Sequence, residues 1–135
     1  MRKLFWIGAC VGIGLLGVAI YARIAPSDLT RWHGVPDSAV AGDAMGQAVR
    51  IVPNGQDTFK RLDEIILATP RTQLLAGSIK EGRRTYITRT ALFGFPDYTT
   101  IERRGDALVV FGRLRFGASD LGVNAKRLDA WMSQL

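Results

Sequence analysis

Residues 111–127, FGRLRFGASDLGVNAKR, decide the fold, because they contain the change from the last strand to the last helix. Apolar and polar residues alternate up to Phe116, as in a half-buried strand, and Gly117 to Asp120 have the composition of a tight corner. Asp120 stands at a helix N-cap position, so its carboxylate should accept hydrogen bonds from the first free amides of the helix. We therefore predict a strand, a corner and a terminal helix, with Arg113 and Arg115 on one face of the strand.

The residues upstream of this strand predict the rest of an antiparallel sheet. From Arg71 onward apolar residues recur with period two, and Glu81-Gly82 and Gly105-Asp106 have the composition of hairpin turns. Apolar residues at helical spacing follow Asp57, a second candidate N-cap. The predicted elements are strands 72–80, 83–92, 97–103 and 107–116, a short additional strand 47–52, and helices 57–68 and 121–134. The expected fold class is α+β, a two-layer domain with a four- to five-stranded antiparallel meander packed against two helices.

The two faces of the last strand differ in composition. One face contains Leu108, Val110, Gly112, Leu114 and Phe116, and the other contains Ala107, Val109, Phe111, Arg113 and Arg115. We expect the first face to form the core beneath the helices. If Gly105-Asp106 is the turn, Ile101 lies opposite Val110 on that face. The same register places Tyr98 opposite Arg113 on the second face.

The second face mixes aromatic and cationic side chains, which leaves two interpretations. Either the preceding segment covers it, with Trp32 lying across the strands and an arginine stacked on Tyr98, or the face binds a ligand. In the second case we expect a basic binding surface for an anionic lipid or protein partner. Its candidate binding residues are Arg89, Tyr98, Arg113 and Arg115.

A second group of polar residues surrounds the corner between the last strand and the last helix: Asp97, Ser119, Asp120, Asn124 and Arg127. A serine beside a helix N-terminus could be polarised there, so a hydrolase-like site at this corner is the alternative function. However, the sequence contains no Gly-x-Ser-x-Gly elbow and no phosphate-binding loop. Helix capping and corner packing also explain Ser119 and Asp120, and we assign no catalytic residue.

The N-terminal segment predicts a membrane helix. After Arg2 and Lys3, nineteen uncharged residues run from Leu4 to Ala22, a length of roughly 28 Å in a helix. This is close to the ~30 Å hydrocarbon core of a bilayer. We expect residues 1–25 to be an uncleaved anchor, with a cleaved signal peptide as the rival. The Gly8-x-x-x-Gly12 spacing is compatible with a homodimer, although a glycine-rich helix produces this spacing by chance.

The remaining chain divides into a linker, residues 26–46, and a domain, residues 47–135. The linker is rich in Pro, Ser, Asp and Gly, and the domain carries fourteen basic against nine acidic residues. This basic balance suits an anionic partner. With one histidine, His33, and one cysteine, Cys10, we expect no metal site, and we expect no cofactor. An exported domain beside a membrane also disfavours nucleic acid as the partner.

The C-terminal part of the chain resembles a bacterial and plastid family catalogued as domain of unknown function 1499. The matching segments are Pro70-Arg71-Thr72, Tyr86-Ile87, Phe93-Gly94-Phe95-Pro96-Asp97, Arg113-x-Arg115 and Ser119-Asp120-Leu121-Gly122-Val123-Asn124-x-x-Arg127. The chain departs at Gly112 and Leu114, where the family often has small polar residues. Since members commonly carry an N-terminal membrane segment, the resemblance implies a fold and a location but no activity.

Together these patterns predict a membrane-anchored accessory or binding domain without enzymatic activity. The positive charges of Arg2 and Lys3 favour a cytoplasmic N-terminus. We therefore expect an anchor in the bacterial inner membrane and a domain in the periplasm.

Overall fold

The computed structural model describes residues 2–135, which form four helices and six strands. The elements in chain order are α1 (Arg2–Ile24), α2 (Leu29–Trp32), β1 (Gly42–Ala44), β2 (Gln47–Pro53), α3 (Thr58–Ala68), β3 (Thr72–Ser78), β4 (Arg83–Arg89), β5 (Pro96–Arg104), β6 (Ala107–Leu114) and α4 (Val123–Met132). The predicted α+β class is confirmed.

The strands form one antiparallel sheet in the order β1-β2-β6-β5-β4-β3. The predicted meander is the run from β3 to β6, and α3 carries the chain from β2 at one side of the sheet to β3 at the other. The strand count is six rather than four or five, because residues 42–44 add a short edge strand. The predicted pairings Ile101–Val110 and Tyr98–Arg113 are confirmed.

The main core lies between the sheet and helices α3 and α4. It contains Ala48, Phe59, Leu62, Ile66, Tyr86, Ile101, Leu108, Val110, Leu128 and Trp131. Gly112 permits the close approach of α4, since a Cβ atom there would lie 2.8 Å from Leu128 Cδ1. This face of β6 is the one that the sequence assigned to the core.

A buried polar group fastens α3 to β4 within this layer. The Tyr86 hydroxyl donates to Asp63 Oδ1 over 2.5 Å, and Arg84 donates to Asp63 Oδ2 over 2.6 Å. Burial, together with the hydrogen bond to Asp63, raises the pKa of Tyr86, so the phenol stays protonated. The buried carboxylate thus has both a cation and a hydroxyl as partners, which its burial requires.

The two predicted helix caps have different outcomes. Asp57 precedes α3, but it adopts a left-handed φ of 64° and its side chain forms no capping hydrogen bond. The N-cap of the last helix is Gly122 rather than Asp120, but the Asp120 carboxylate still accepts from Gly122 N at 3.0 Å and Asn124 N at 2.8 Å at the start of the helix. The helix itself begins at Val123, because residues 121 and 122 both have positive φ.

Helix α1 is apolar and extends away from the sheet. Residues Lys3–Ile24 have a mean hydropathy of 2.1 and are long enough to cross a membrane. A membrane anchor and a signal sequence both meet this description. Only the last part of α1 is covered by the domain, where Ala19, Ala22 and the following Ala25 are buried.

Candidate functional site

The segment before β1 covers the sheet face that lies opposite the helices. The Trp32 ring stacks on the Tyr98 ring, with centroids 4.2 Å apart and planes 16° from parallel. Further along the same face, Val35 packs with Val49, Val109 and Phe111. Of the two interpretations of this face, the structure shows the first, because the segment predicted to be a linker lies across it. The stacking partner of Tyr98 is Trp32 rather than an arginine.

Arg113 is buried beneath this cover. Its guanidinium donates to the carbonyl oxygens of Trp32 and Phe111 and to Thr100 Oγ1 at 3.0 Å. It also lies over the Phe111 ring, 4.5 Å from the centroid. Burial lowers the pKa of Arg113 to about 10, so the group remains cationic at neutral pH. Arg113 thus holds the covering segment through backbone carbonyls and keeps its positive charge.

Arg89 and Arg115 bind the end of α1 and the residues that follow it. Arg89 donates to Ala22 O at 3.0 Å and Arg23 O at 3.3 Å. Arg115 donates to Ala25 O at 3.3 Å and Pro26 O at 3.0 Å. The last carbonyls of a helix lack intrahelical partners and carry partial negative charge. Two arginines therefore satisfy the end of α1 and fix it to β4 and β6.

Tyr98 joins the same assembly. Its hydroxyl accepts from Arg115 at 2.9 Å and lies 2.6 Å from Ser27 Oγ. The structure therefore brings all four predicted binding residues, Arg89, Tyr98, Arg113 and Arg115, to the end of α1 and the segment that follows it. Tyr98 and Arg113 are buried by it. Whether these residues bind a ligand stays a prediction.

Two clefts lie beside the end of α1, and each is lined by three arginines. We call the first the Arg31 cleft; its volume is about 380 Å³, and Arg31, Arg113 and Arg115 line it with the aromatic rings of Trp32 and Phe111. The second, the Arg71 cleft, has a volume of about 350 Å³ and is lined by Arg23, Arg71 and Arg89 together with polar and small residues. In the described part of the chain, no Asp or Glu lines either cleft.

Carboxylates are present in the other clefts of the molecule. One of about 550 Å³ contains Glu81 and Glu102, and a smaller one near α3 contains Asp57. The arginines also fall into two groups, those that pair with carboxylates and those that do not. The first group contains Arg50, Arg83, Arg84, Arg104 and Arg127. Within residues 2–135, none of the six arginines of the Arg31 and Arg71 clefts forms such a pair. Unneutralised positive charge therefore collects at the end of α1.

Sequence reasoning did not identify Arg23, Arg31 and Arg71 as site residues. All three side chains are exposed, and Arg31 lies over the Trp32 ring at 4.8 Å. Arg71 has a left-handed φ of 59° and donates from Nε to Arg89 O at 3.1 Å. These residues are far apart in the sequence, so only the fold brings them together. The one local signal was Arg71 in the family-like segment Pro70-Arg71-Thr72.

The corner residues form a closed hydrogen-bond network. Arg127 donates to Asp97 Oδ2 from both terminal nitrogens at 3.1 Å, and it also donates to Asn124 Oδ1. Asn124 is fully buried and donates from Nδ2 to Asp120 Oδ2 at 2.8 Å. Burial raises the pKa of Asp97, against the effect of Arg127. The pKa of Asp120 is lowered. Its partial burial alone would raise this pKa, but the hydrogen bonds from Asn124 and Gly122 lower it.

Ser119 stands outside this network. It is exposed, and its Oγ accepts a hydrogen bond from Leu121 N at 3.2 Å. A cavity of about 150 Å³ lies against Asp97, Ser119 and Asp120. His33 is not at this site, because its Nδ1 lies 2.9 Å from Thr85 Oγ1 on the other face of the sheet. The geometry thus explains four of the five corner residues as structural, and hydrolysis here stays a prediction.

A scan against protein-family models matches residues 25–135 to a family described as "Protein of unknown function (DUF1499)". A search of curated proteins finds no match. The family match covers the whole sheet, α2 to α4, and the covering segment that carries Trp32. It begins at Ala25, directly after α1. The chain therefore belongs to the DUF1499 family.

Proposed function

We propose that this chain is a membrane-anchored, non-enzymatic binding domain whose two arginine clefts bind anionic lipid headgroups next to its own anchor. The observation that carries the proposal is the set of six arginines around the end of α1 that pair with no carboxylate in residues 2–135. In this proposal α1 is the anchor and spans the bacterial inner membrane, with the domain on the periplasmic side. The sequence supports that orientation through Arg2 and Lys3, which precede the apolar helix.

The position of the clefts supports a lipid as the ligand. Arg89 and Arg115 hold the carbonyls at residues 22–26, so the clefts sit within a few residues of the point where α1 would leave the bilayer. Basic residues near an anionic membrane contribute about 1 kcal/mol each. A guanidinium also binds a phosphate through two parallel hydrogen bonds.

Arg31 and Arg71 are the side chains best placed to meet a headgroup. Both are exposed. Arg71 uses only Nε in an intramolecular hydrogen bond, to the carbonyl of Arg89, and Arg31 lies over an aromatic ring. Arg89, Arg113 and Arg115 add positive charge to the clefts while they bind backbone carbonyls of α1 and the covering segment. The clefts therefore combine three arginines that bind backbone carbonyls with three exposed ones, Arg31 in the first cleft and Arg23 and Arg71 in the second.

The test measures the affinity of the full-length chain in mild detergent for phosphatidylglycerol, with phosphatidylcholine and inorganic phosphate as separate ligands. We expect tighter binding of phosphatidylglycerol than of either comparison ligand. The double variant Arg31→Gln/Arg71→Gln should weaken it roughly thirtyfold, because two contributions of about 1 kcal/mol are removed. The control variant Lys60→Gln/Lys80→Gln removes the same charge at the other end of the sheet and should bind like the wild type.

Three outcomes would contradict the proposal. The first is equal affinity for phosphatidylglycerol in the wild type and in Arg31→Gln/Arg71→Gln. The second is unchanged lipid affinity together with loss of a co-purifying membrane protein from the double variant, which would assign the clefts to a protein partner. Phosphate affinity equal to lipid affinity would reduce the site to one for a free anion.

A further inference from the structure

An aromatic row leads from α1 to the tip of the loop between β4 and β5. Tyr21 near the end of α1 contacts Phe116 with centroids 6.1 Å apart, and Phe116 contacts Phe95 at 6.1 Å. Phe95 stacks on Phe93 at 5.6 Å. Aromatic side chains concentrate at the level of lipid headgroups in membrane proteins. The row connects the end of the apolar helix to residues 90–95.

Two loops at this end of the domain expose large apolar side chains. Leu92 in residues 90–95 is 77% exposed, and Leu121 after β6 is 87% exposed. Leu121 also has a left-handed φ of 52°, which is unfavourable for a leucine. The two loops adjoin, since Phe95 and Phe116 line the same small cavity as Val123. Leu92 and Leu121 thus lie exposed on adjoining loops at the same end of the domain.

From this arrangement we infer that Leu92, Phe93 and Leu121 enter the bilayer that α1 spans and hold the domain against the lipid surface. The inference rests on the proposed function, because it requires α1 to be a membrane anchor. The aromatic row then lies at headgroup depth, and the leucines reach the outer part of the acyl chains. We name Leu92, Phe93 and Leu121 the apolar collar.

Continuity with α1 favours the bilayer over a protein as the occupant. The loop at residues 90–95 touches α1 directly, since the Arg23 side chain packs against Gly94, where an added Cβ would lie 2.7 Å from Arg23 Nε. Arg89 binds Gly94 O and Ala22 O with the same nitrogen. The collar therefore cannot move far from the point where the anchor ends. The flanking Arg31 and Arg71 clefts supply cations at the same level, the usual composition of a membrane-binding surface.

The test places a fluorescent bimane label on single cysteines in the full-length chain, in a Cys10→Ser background, reconstituted in phosphatidylglycerol/phosphatidylcholine vesicles. The labelled sites are Leu92→Cys and Leu121→Cys, with Ile51→Cys as the control. Ile51 is also an exposed apolar residue, 47% accessible, but it lies in β2 opposite Val109. Lipids brominated near the top of the acyl chain quench only labels that enter the bilayer.

We expect at least twofold quenching and a blue-shifted emission at positions 92 and 121, and neither effect at position 51. If positions 92 and 121 behave like position 51, the collar does not insert and the inference is wrong. If both are shielded from aqueous iodide without being quenched by brominated lipid, a protein surface or a second copy of the chain covers them, which also overturns it. The phosphatidylglycerol affinity of Arg31→Gln/Arg71→Gln separates the two proposals, because it does not depend on insertion.

Discussion

On the helix-covered face of the sheet, half-buried arginines pair with carboxylates, whereas near the end of α1 on the opposite face they bind backbone carbonyls. Arg84 pairs with Asp63 and Arg127 with Asp97 on the first face. Arg113 and Arg115 donate to the carbonyls of Trp32, Ala25 and Pro26 on the second. Among residues 2–135, arginines on this second face pair with a carboxylate at the end of the sheet away from α1, where Glu102 binds Arg83 and Arg104.

The two kinds of partner have different electrostatic consequences. A carboxylate satisfies the hydrogen bonds of a guanidinium and cancels its charge. A carbonyl satisfies the hydrogen bonds but leaves the charge in place, and the field then reaches the surroundings. On the helix-covered face the charges of Arg84 and Arg127 are therefore neutralised by their partners. The end of α1 uses arginine both to dock the covering segment and to keep a positive potential.

The largest expected effect comes from breaking the carboxylate pairing on the helix-covered face. In Asp63→Ala, Arg84 and Tyr86 lose their common partner, and their side-chain polar groups remain in a largely buried site. Removing one member of a buried pair costs about 4 kcal/mol, because the other charge is left uncompensated. Chemical unfolding of the full-length chain in mild detergent measures this loss.

The control is Asp129→Ala. Asp129 also pairs with an arginine, Arg50, but its side chain is 60% exposed. An ion pair this exposed to solvent is screened and contributes little to stability, so this variant should lose much less stability than Asp63→Ala. Equal losses in the two variants would show that burial does not distinguish these ion pairs.

The next effect tests whether the covering segment belongs to the folded domain. Trp32→Ala removes the ring stacked on Tyr98 and uncovers Arg113. Truncation of a buried tryptophan costs about 3 kcal/mol, and hydrogen exchange at residues 28–35 should increase with the loss. Leu29→Ala alters a half-exposed residue of the same short helix and should change unfolding by less than about 1 kcal/mol. A free tether would instead give no change in either variant.

The sheet could be predicted from the sequence because strand positions and register depend on local features, namely the turn residues and the alternation of apolar and polar residues. A Gly105-Asp106 turn fixes the register of β5 and β6, so the pairing of Tyr98 with Arg113 followed from the turn and the period of two. The short strand Gly42–Ala44 has no such signal, since three residues cannot establish an alternation. Asp57 has the right residue type for a cap, but a left-handed backbone turns its side chain away from that role.

The candidate site could be predicted only in part, because partner choice depends on the fold. The sequence placed Arg113 and Arg115 on the face opposite the core, and it left open whether Trp32 covers that face. It could not show that the covering segment presents carbonyls rather than carboxylates to those arginines. Arg31 and Arg71 are separated by forty residues and meet the end of α1 from different elements. The number of charged residues in the sequence does not show which arginines lack a carboxylate partner in the folded chain.

The smallest effect concerns the cap that starts α4, and it depends on pH. Hydrogen bonds from Asn124 and Gly122 lower the pKa of Asp120 below its unfolded value despite partial burial. The stabilisation is therefore complete above the unfolded pKa and is lost as pH falls through the folded pKa. Asp120→Ala should cost about 1 kcal/mol at pH 7. The difference between wild type and variant should stay constant at higher pH and shrink as pH falls below the unfolded pKa of about 3.9.

Asp120→Asn serves as the control for this cap. The amide oxygen replaces only one of the two carboxylate oxygens, so it can accept from Gly122 or from Asn124 but not from both. Because it carries no charge, the stability of this variant relative to Asp120→Ala should not vary with pH. Unfolding midpoints of the three proteins across this pH range give the measurement. A gap between wild type and Asp120→Ala that stays constant down to pH 3 would mean that the carboxylate charge contributes nothing. The corner would then be held by the Asn124 and Arg127 contacts alone, and its lowered pKa would have no bearing on the stability of the domain.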